Sequence, residues 1–155
     1  MGPHGYNVPF GHYKTVPQIV NKDHILRISE LIKDVKFTTM SFKDSLKIPT
    51  KGDFIYLDPP YYPEDKNSFV QYSSNGFSNI DHELLFKLCY ELYDKKIKFI
   101  MSNSYTQTVL NAFSKPKYTQ YKIICSRRIN SKNPESKTSE IIISNIRSKI
   151  KKPAV

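Results

Sequence analysis

Two short apolar segments on either side of one amphipathic helix constrain the fold of this chain more than any other feature. FIYL (54–57) and IKFIMSNS (97–104) have the apolar character of strands buried in a parallel sheet. Between them, residues 78–96 begin with a capping box formed by Ser78 and Asp81. Apolar residues then recur at helical spacing: Leu84, Leu85, Leu88, Cys89 and Leu92. This order predicts a parallel α/β sheet.

The rest of the chain extends the alternation of helices and strands. We expect further helices over 22–33 and 106–113. Residues of high β-propensity predict three more strands: VKFTTMSF (35–42), YKIICS (121–126) and SEIIISNI (139–146). The order from FIYL onwards predicts a sheet that ends in a β-hairpin. A long polar loop over 59–79 and a basic loop over 127–138 connect these elements.

The charge of the chain favours a polyanionic partner. Lys and Arg number 24 against 14 Asp and Glu, which gives a net charge of +10. Nucleic acid is therefore the first candidate and an anionic membrane the second, although a generally basic protein has the same composition. No apolar run reaches about 18 residues and no signal peptide opens the chain. We expect a soluble, intracellular protein with no membrane partner.

Neither the cysteines nor the histidines have the spacing of a metal site. Cys89 and Cys125 lie far apart in apolar stretches, which predicts buried free thiols rather than a disulfide. The 4 histidines show no ligand spacing. We expect no bound metal.

The segment FIYLDPPYYP places a carboxylate at the end of a predicted buried strand. Pro59 and Pro60 lack an N–H and cannot extend the strand, so Asp58 stands beside a stiffened backbone carbonyl. Ser102 and Asn103 end the next strand, and ligands of such sheets bind at the carboxyl ends of strands. This pair is a candidate for the floor of a pocket, although Ser-Asn at a strand end also caps helices.

The groups around Asp58 suit a planar amine. An exocyclic amino group can donate one hydrogen to Asp58 and one to the Pro59 carbonyl, while the ring of Tyr61 stacks on the base. Two acceptors localise the nitrogen lone pair and aim it at an electrophile such as a methyl sulfonium. A base inside a duplex reaches such a pocket only when it is flipped out. The alternative is a Pro-rich turn with a solvated Asp58.

The chain resembles the DNA adenine N6-methyltransferases of the Dam (D12) family over about 140 residues. The matching motifs occur in the family's order and spacing, and the combination of NVPFG with DPPY is specific to this class. They are YNVPFGHYK (6–14), SFKDSL (41–46), FIYLDPPYYP (54–63), Gln71, Tyr72 and Phe77 of VQYSSNGF (70–77), IMSNS (100–104) and RRINS…SEIIISN (127–145).

The resemblance implies catalytic and cofactor-binding roles. Asp58 and the three residues after it, Pro59, Pro60 and Tyr61, would form the catalytic DPPY motif. Phe42 and Asp44 would meet the adenine moiety of the methyl donor S-adenosylmethionine, with Asp58 also facing the cofactor.

The resemblance also implies double-stranded DNA as the partner. Pro9, His12 and Tyr13 would belong to the loop that approaches DNA, although family members more usually carry an Arg at position 12. Arg127 and Arg128 would face phosphate near the hairpin.

Family members begin with a KWxGGK segment and an FxGxG loop that are absent from this sequence, which contains 5 glycines. We therefore expect the C-terminal part of a Rossmann-like methyltransferase sheet of order 3-2-1-4-5-7-6, with the first two strands missing. Residues 1–18 would be a remnant of the DNA-recognition insert, 19–147 a partial catalytic domain and 148–155 a basic disordered tail.

A sheet of this kind would leave a gap between KFTTM as strand 3 and FIYL as strand 4. Three inter-strand spacings make it about 14 Å. A truncated or split enzyme would close the gap with a complementary chain that carries the FxGxG half. The alternative is a catalytically inactive remnant that binds DNA or a partner. Methylation of cytosine N4 or a glutamine amide is a third reading, but those families usually carry Ser or Asn in place of Asp58.

Overall fold

The computed structural model describes residues 18, 20–64, 76–126 and 137–146 of the chain. Two compact units divide it, Met1–Thr39 and Met40–Val155. In the first unit, helix α1 spans Lys22–Leu31, and the Asn21 side chain caps it by accepting the His24 N–H at 3.0 Å. Its apolar residues are exposed rather than buried: Ile25, Ile28 and Leu31. The helix predicted over 22–33 is confirmed with a slightly earlier end.

The strand predicted over residues 35–42 is wrong. Residues 35–41 form neither helix nor strand, and helix α2 begins at Phe42 and ends at Ser45. Aromatic and β-branched residues favour extended backbone, but a strand also needs a neighbour that pairs with it. No described strand pairs with this segment, and Phe37 within it is 74% exposed.

The second unit contains a mixed four-stranded sheet. Its strands are β1 (Phe54–Leu57), β2 (Lys98–Ser104), β3 (Thr119–Ser126) and β4 (Lys137–Ser144), and their order is β1-β2-β4-β3. β1 and β2 are parallel, whereas β4 pairs antiparallel with both β2 and β3. The four strands predicted over these segments are confirmed within two residues at each end, and so is the antiparallel pairing of the last two.

Helices α3 (Asn79–Asp94) and α4 (Gln107–Ala112) pack against this sheet and complete the α/β architecture. The predicted capping box is present, since Ser78 Oγ accepts the Asp81 N–H and Asp81 in turn accepts the Ser78 N–H. Helix α3 buries one face against the central strands, and full burial of a large apolar side chain is worth about 1.5–3 kcal/mol. The core combines Leu85, Phe86, Cys89 and Leu92 of α3 with Phe99, Met101, Ile141 and Ile143 of the sheet.

Strand β1 is half exposed, although its continuous apolar sequence predicted burial on both faces. Ile55 and Leu57 pack against the core, but Phe54 and Tyr56 on the other face are 56% and 60% exposed. Successive side chains of a strand point to opposite faces, so covering one face of the sheet buries only alternate residues. Among the described residues, no helix has the length and apolar character needed to cross a membrane.

Candidate active site

The candidate site lies where β1 and β2 end. Asp58 follows Leu57 directly and is exposed, while Ser102 on β2 is buried. The two strands are parallel and pair Leu57 with Met101, so their carboxyl ends meet at one edge of the sheet. Ser102 Oγ donates a hydrogen bond to Asp58 Oδ1 at 2.7 Å. The structure thus joins the two strand ends that the sequence singled out.

The carboxyl end of β2 also holds the backbone that follows the two prolines. Asn103 Oδ1 accepts the Tyr62 N–H at 2.8 Å, and Ser104 Oγ donates to the Tyr62 carbonyl at 2.6 Å. Both β2 residues are buried, and the carboxamide nitrogen of Asn103 has no hydrogen-bond partner among the described residues. Pro59 and Pro60 donate no backbone hydrogen bond, so these side chains supply the anchoring that the prolines cannot.

Tyr61 is placed as a neutral ring beside the Asp58 carboxylate. Its hydroxyl lies 3.4 Å from Glu140 Oε2 on β4. Burial, together with the charges of Glu140 and Asp58, raises the pKa of Tyr61 above its ordinary value of 10.0, and a hydrogen bond with Ser102 opposes part of this rise. The phenol therefore remains protonated at neutral pH. It can offer a ring face and a hydroxyl, but it is a poor base.

A row of aromatic rings connects α2 to the loop after β1. The ring centroids of Phe42 and Phe77 are 5.3 Å apart, those of Phe77 and His82 are 4.7 Å apart, and those of His82 and Tyr62 are 5.0 Å apart. His82 is only 1% exposed, and its Nδ1 has no partner in the described part of the chain. Burial lowers the pKa of His82 below 6.5, because the neighbouring Asp81 charge offsets only part of the desolvation.

The remaining predicted site residues divide into two groups. Asp44 lies on α2 with Phe42, and its carboxylate forms an exposed ion pair with Lys47 at 2.9 Å. The predicted DNA-contacting residues lie outside the described residues: Pro9, His12, Tyr13, Arg127 and Arg128. Tyr72 of the long loop lies outside them as well, whereas Phe77 at its end belongs to the aromatic row.

Three residues of the site escaped the sequence analysis. His82 lies at helical spacing with Leu85, Phe86 and Cys89, so its buried position was visible in the sequence. Ser104 directly follows the Ser102–Asn103 pair. As a polar residue at the end of a predicted strand, it could have been identified as a site residue in the same way as that pair. Glu140 carried no such signal, because only the pairing of β4 with β2, Ser104 opposite Glu140, brings it towards Tyr61.

The arrangement presents acceptors and flat rings rather than metal ligands. In the described part of the chain, no three His, Cys, Asp or Glu side chains group as a metal site. Ser102 engages Asp58 Oδ1, and no described residue donates to Oδ2. Oδ2 is therefore available to a donor such as an amino group. Phe42 and Phe77 add an aromatic surface suited to a purine ring, so the residues present fit the adenine end of S-adenosylmethionine.

Comparisons with known proteins cover most of the chain. The model of the D12 class N6 adenine-specific DNA methyltransferase family matches residues 2–129. The chain is 33% identical over 144 residues to the type II methyltransferase M1.LlaDCHI of Lactococcus lactis subsp. cremoris, covering 90% of this chain and 50% of that protein.

Two further relatives have similar sequence identity and coverage. Identity is 32% to the type II methyltransferase M.MjaIII of Methanocaldococcus jannaschii, covering 90% of this chain and 49% of that protein. It is 28% to a DNA adenine methylase of Haemophilus influenzae, with coverages of 88% and 48%. The chain thus spans about half the length of the curated relatives it matches.

Proposed function

The chain belongs to the D12 class N6 adenine-specific DNA methyltransferase family, and from this membership we propose that it transfers a methyl group to the N6 amine of adenine in double-stranded DNA. One observation carries the proposal: a carboxylate is held by Ser102 at the strand end, directly before two prolines and a neutral tyrosine. The relatives are named as type II methyltransferases and DNA adenine methylases, which supports the same substrate here.

The proposed mechanism relies on positioning and electrostatics. Asp58 Oδ2 and the Pro59 carbonyl would accept the two amine hydrogens, and Tyr61 would stack on the base. Both contacts draw the nitrogen lone pair out of conjugation with the ring, which makes the amine a better nucleophile. The adenine would have to leave the duplex to reach this edge of the sheet.

S-adenosylmethionine would be the methyl donor, and when bound it would supply a methyl group on an electrophilic sulfonium. Phe42 would pack against the adenine of the cofactor, with its ring supported by Phe77. Asp44 would lie at the same end of the cofactor, and Asp58 would face it from the strand end. The ion pair of Lys43 with Asp81, 3.4 Å long, links α2 to α3 and would help to hold this wall in place.

We further propose that the sheet is the C-terminal part of a Rossmann-like methyltransferase sheet. The observed order β1-β2-β4-β3 would correspond to 4-5-7-6 in the family order. The exposed face of β1 and the length of the relatives support an upstream FxGxG half, on this polypeptide or on a complementary chain, that would complete the cofactor site.

DNA contacts would come from a segment before α1 and from the segment between β3 and β4. Pro9, His12 and Tyr13 would approach the DNA, and Arg127 and Arg128 would contact phosphate. The net charge of +10 supports such contacts, and their electrostatic part should weaken steeply with added salt.

A methyl-transfer assay tests the proposal. The full chain, alone and mixed with the FxGxG half of a D12 relative, is incubated with duplex DNA and methyl-labelled S-adenosylmethionine. Incorporation into adenine should occur in at least one mixture and fall by at least about 100-fold in Asp58→Ala. Asp94→Ala is the matched control, because Asp94 is exposed at the far end of α3.

The outcomes separate the two functions considered for the chain. Adenine methylation that depends on Asp58 supports the enzyme. DNA binding without transfer in any mixture contradicts it and favours the catalytically inactive remnant that binds DNA or a partner. Equal transfer by wild type and Asp58→Ala contradicts the role of the carboxylate.

A further inference from the structure

The Ser102 hydroxyl lies between two strand ends and makes its shortest contact with the Asp58 carboxylate. Its distance to Asp58 Oδ1 is 2.7 Å, whereas its distance to the Leu57 carbonyl is 3.4 Å. A hydroxyl has a single proton, and hydrogen bonds from a hydroxyl to a carboxylate are short, at about 2.5–2.7 Å. The proton therefore belongs to the bond with Asp58.

The donor is rigid, whereas the acceptor is exposed. Ser102 is buried and paired with Ile142 of β4 within the sheet. Asp58 lies beyond the last paired residue of β1 and is exposed to solvent. An exposed side chain at such a position exchanges among staggered rotamers unless a contact selects one. Apart from Ser102, no described side chain donates a hydrogen bond to the Asp58 carboxylate.

Tyr56 of β1 supports the hydrogen bond between Ser102 and Asp58. Tyr56 and Asp58 project on the same side of the strand because they are two residues apart. The Tyr56 hydroxyl lies 3.5 Å from Ser102 Oγ, so it can donate to the oxygen whose proton goes to Asp58. Donors and acceptors in such a chain polarise one another and favour a single arrangement.

We propose that Ser102 is a positioning residue that locks the Asp58 side chain in one rotamer, so that Oδ1 is occupied and Oδ2 is presented to the adenine amine. The effect on catalysis rests on the proposed function, but the effect on the Asp58 rotamer does not. Loss of the hydroxyl leaves the carboxylate free to rotate. The productive geometry then has to be found during each turnover, which lowers kcat while the binding of DNA and methyl donor is unchanged.

Two variants and a matched control isolate the hydroxyl. Ser102→Ala removes it, and Ser102→Thr retains it with a β-branched side chain that strands accept readily. Ser144→Ala is the control, because Ser144 is also a buried serine of the same sheet but donates to the Phe99 carbonyl at 3.2 Å, away from Asp58.

The first measurement needs no activity. Three-bond couplings between the Asp58 carboxyl carbon and its backbone nitrogen and carbonyl report the χ1 rotamer of the side chain in the full chain in solution. Wild type, Ser102→Thr and Ser144→Ala should show one rotamer, and Ser102→Ala should show averaging. Averaged couplings in wild type, or a single retained rotamer in Ser102→Ala, overturn the proposal.

The second measurement is steady-state methylation in the mixture that supports transfer. Ser102→Ala should lower kcat on the order of 10–100-fold with KM for DNA unchanged, and Ser102→Thr should restore it. A rise in KM at constant kcat overturns the positioning role. If wild type transfers no methyl group in any mixture, the proposed function fails, while the rotamer couplings still decide whether Ser102 positions Asp58.

Discussion

Asn103 holds the backbone of Tyr62, because its Oδ1 accepts the Tyr62 N–H at 2.8 Å from a position fully buried in β2. The same oxygen accepts the Ser104 N–H at 2.8 Å. One side chain of the central sheet therefore fixes the course of the loop that carries Asp58, and this loop has two consecutive prolines that bring no donors of their own.

Replacement of Asn103 by Ala should destabilise the fold. The Tyr62 N–H loses its acceptor, and a buried unsatisfied donor costs about 1–3 kcal/mol. The free energy of unfolding from urea titrations measures this loss. Asn111→Ala is the control, since the Asn111 side chain accepts a hydrogen bond from Gln107 on an exposed helix surface and should change stability by at most about 0.5 kcal/mol. Equal effects of the two substitutions would contradict the anchoring role.

Stability should depend on pH through His82. Burial lowers the pKa of His82 in the folded protein below its ordinary value of 6.5, so the unfolded chain binds the proton more readily. The contribution of neutral His82 to the free energy of unfolding is complete above pH 6.5. It is lost as the pH falls through 6.5 towards the pKa of His82 in the folded protein. The slope should not exceed about 1.4 kcal/mol per pH unit.

Urea titrations between pH 5 and 8 measure this slope. His82→Phe keeps a ring between Tyr62 and Phe77 and should flatten the dependence. His24→Gln, an exposed substitution on α1, should leave it as in wild type. An unchanged slope in His82→Phe would assign the pH dependence to other groups.

The capping box of α3 should contribute measurably to stability. Ser78 Oγ accepts the Asp81 N–H at 3.2 Å, and Asp81 Oδ2 accepts the Ser78 N–H at 3.1 Å. Ser78→Ala breaks the first of these bonds and should lower the free energy of unfolding by about 1 kcal/mol. Ser78→Thr preserves the acceptor and should retain most of the stability.

Ser114→Ala is the matched control for the capping box. The Ser114 hydroxyl donates to the Asn111 carbonyl at the exposed end of α4, so its loss should cost at most about 0.5 kcal/mol. A Ser78→Ala effect no larger than this control would show that the box is dispensable.

The two cysteines should differ in reactivity. Burial raises the pKa of the Cys89 thiol to about 12, so almost no thiolate forms at pH 8 and no reagent reaches it in the folded protein. Cys125 is half-buried, and burial together with Glu140 also raises its pKa. A disulfide-exchange reagent should therefore modify Cys125 slowly in native protein and both free cysteines after unfolding.

Single substitutions assign the thiol signal. Cys125→Ser should remove the native reaction, and Cys89→Ser should leave it intact. Rapid modification of Cys89 under native conditions would show that α3 opens from the sheet far more often than its buried face predicts.

Much of the secondary structure was predictable from local pattern. The capping box and the apolar spacing identified α3, and short apolar runs identified β1 and β2 nearly to the residue. These signals work because capping and periodic burial depend on residues within a few positions of one another. The strand predicted over 35–42 was wrong because a strand exists only where a second strand pairs with it, and such pairing is not visible in the local sequence.

By itself, the sequence determined that a carboxylate follows a strand, that two prolines stiffen the next step and that Tyr61 comes directly after. Only the tertiary structure decided what surrounds these groups. Asp58 contacts a serine 44 positions away because β1 pairs with β2, and Tyr61 contacts a glutamate 79 positions away because β4 pairs with β2. Strand order and register are cooperative properties of the whole packed sheet. Local periodicity therefore predicts which segments form strands. Only tertiary packing determines which strands are neighbours, and thereby which residues contact the Asp58 carboxylate.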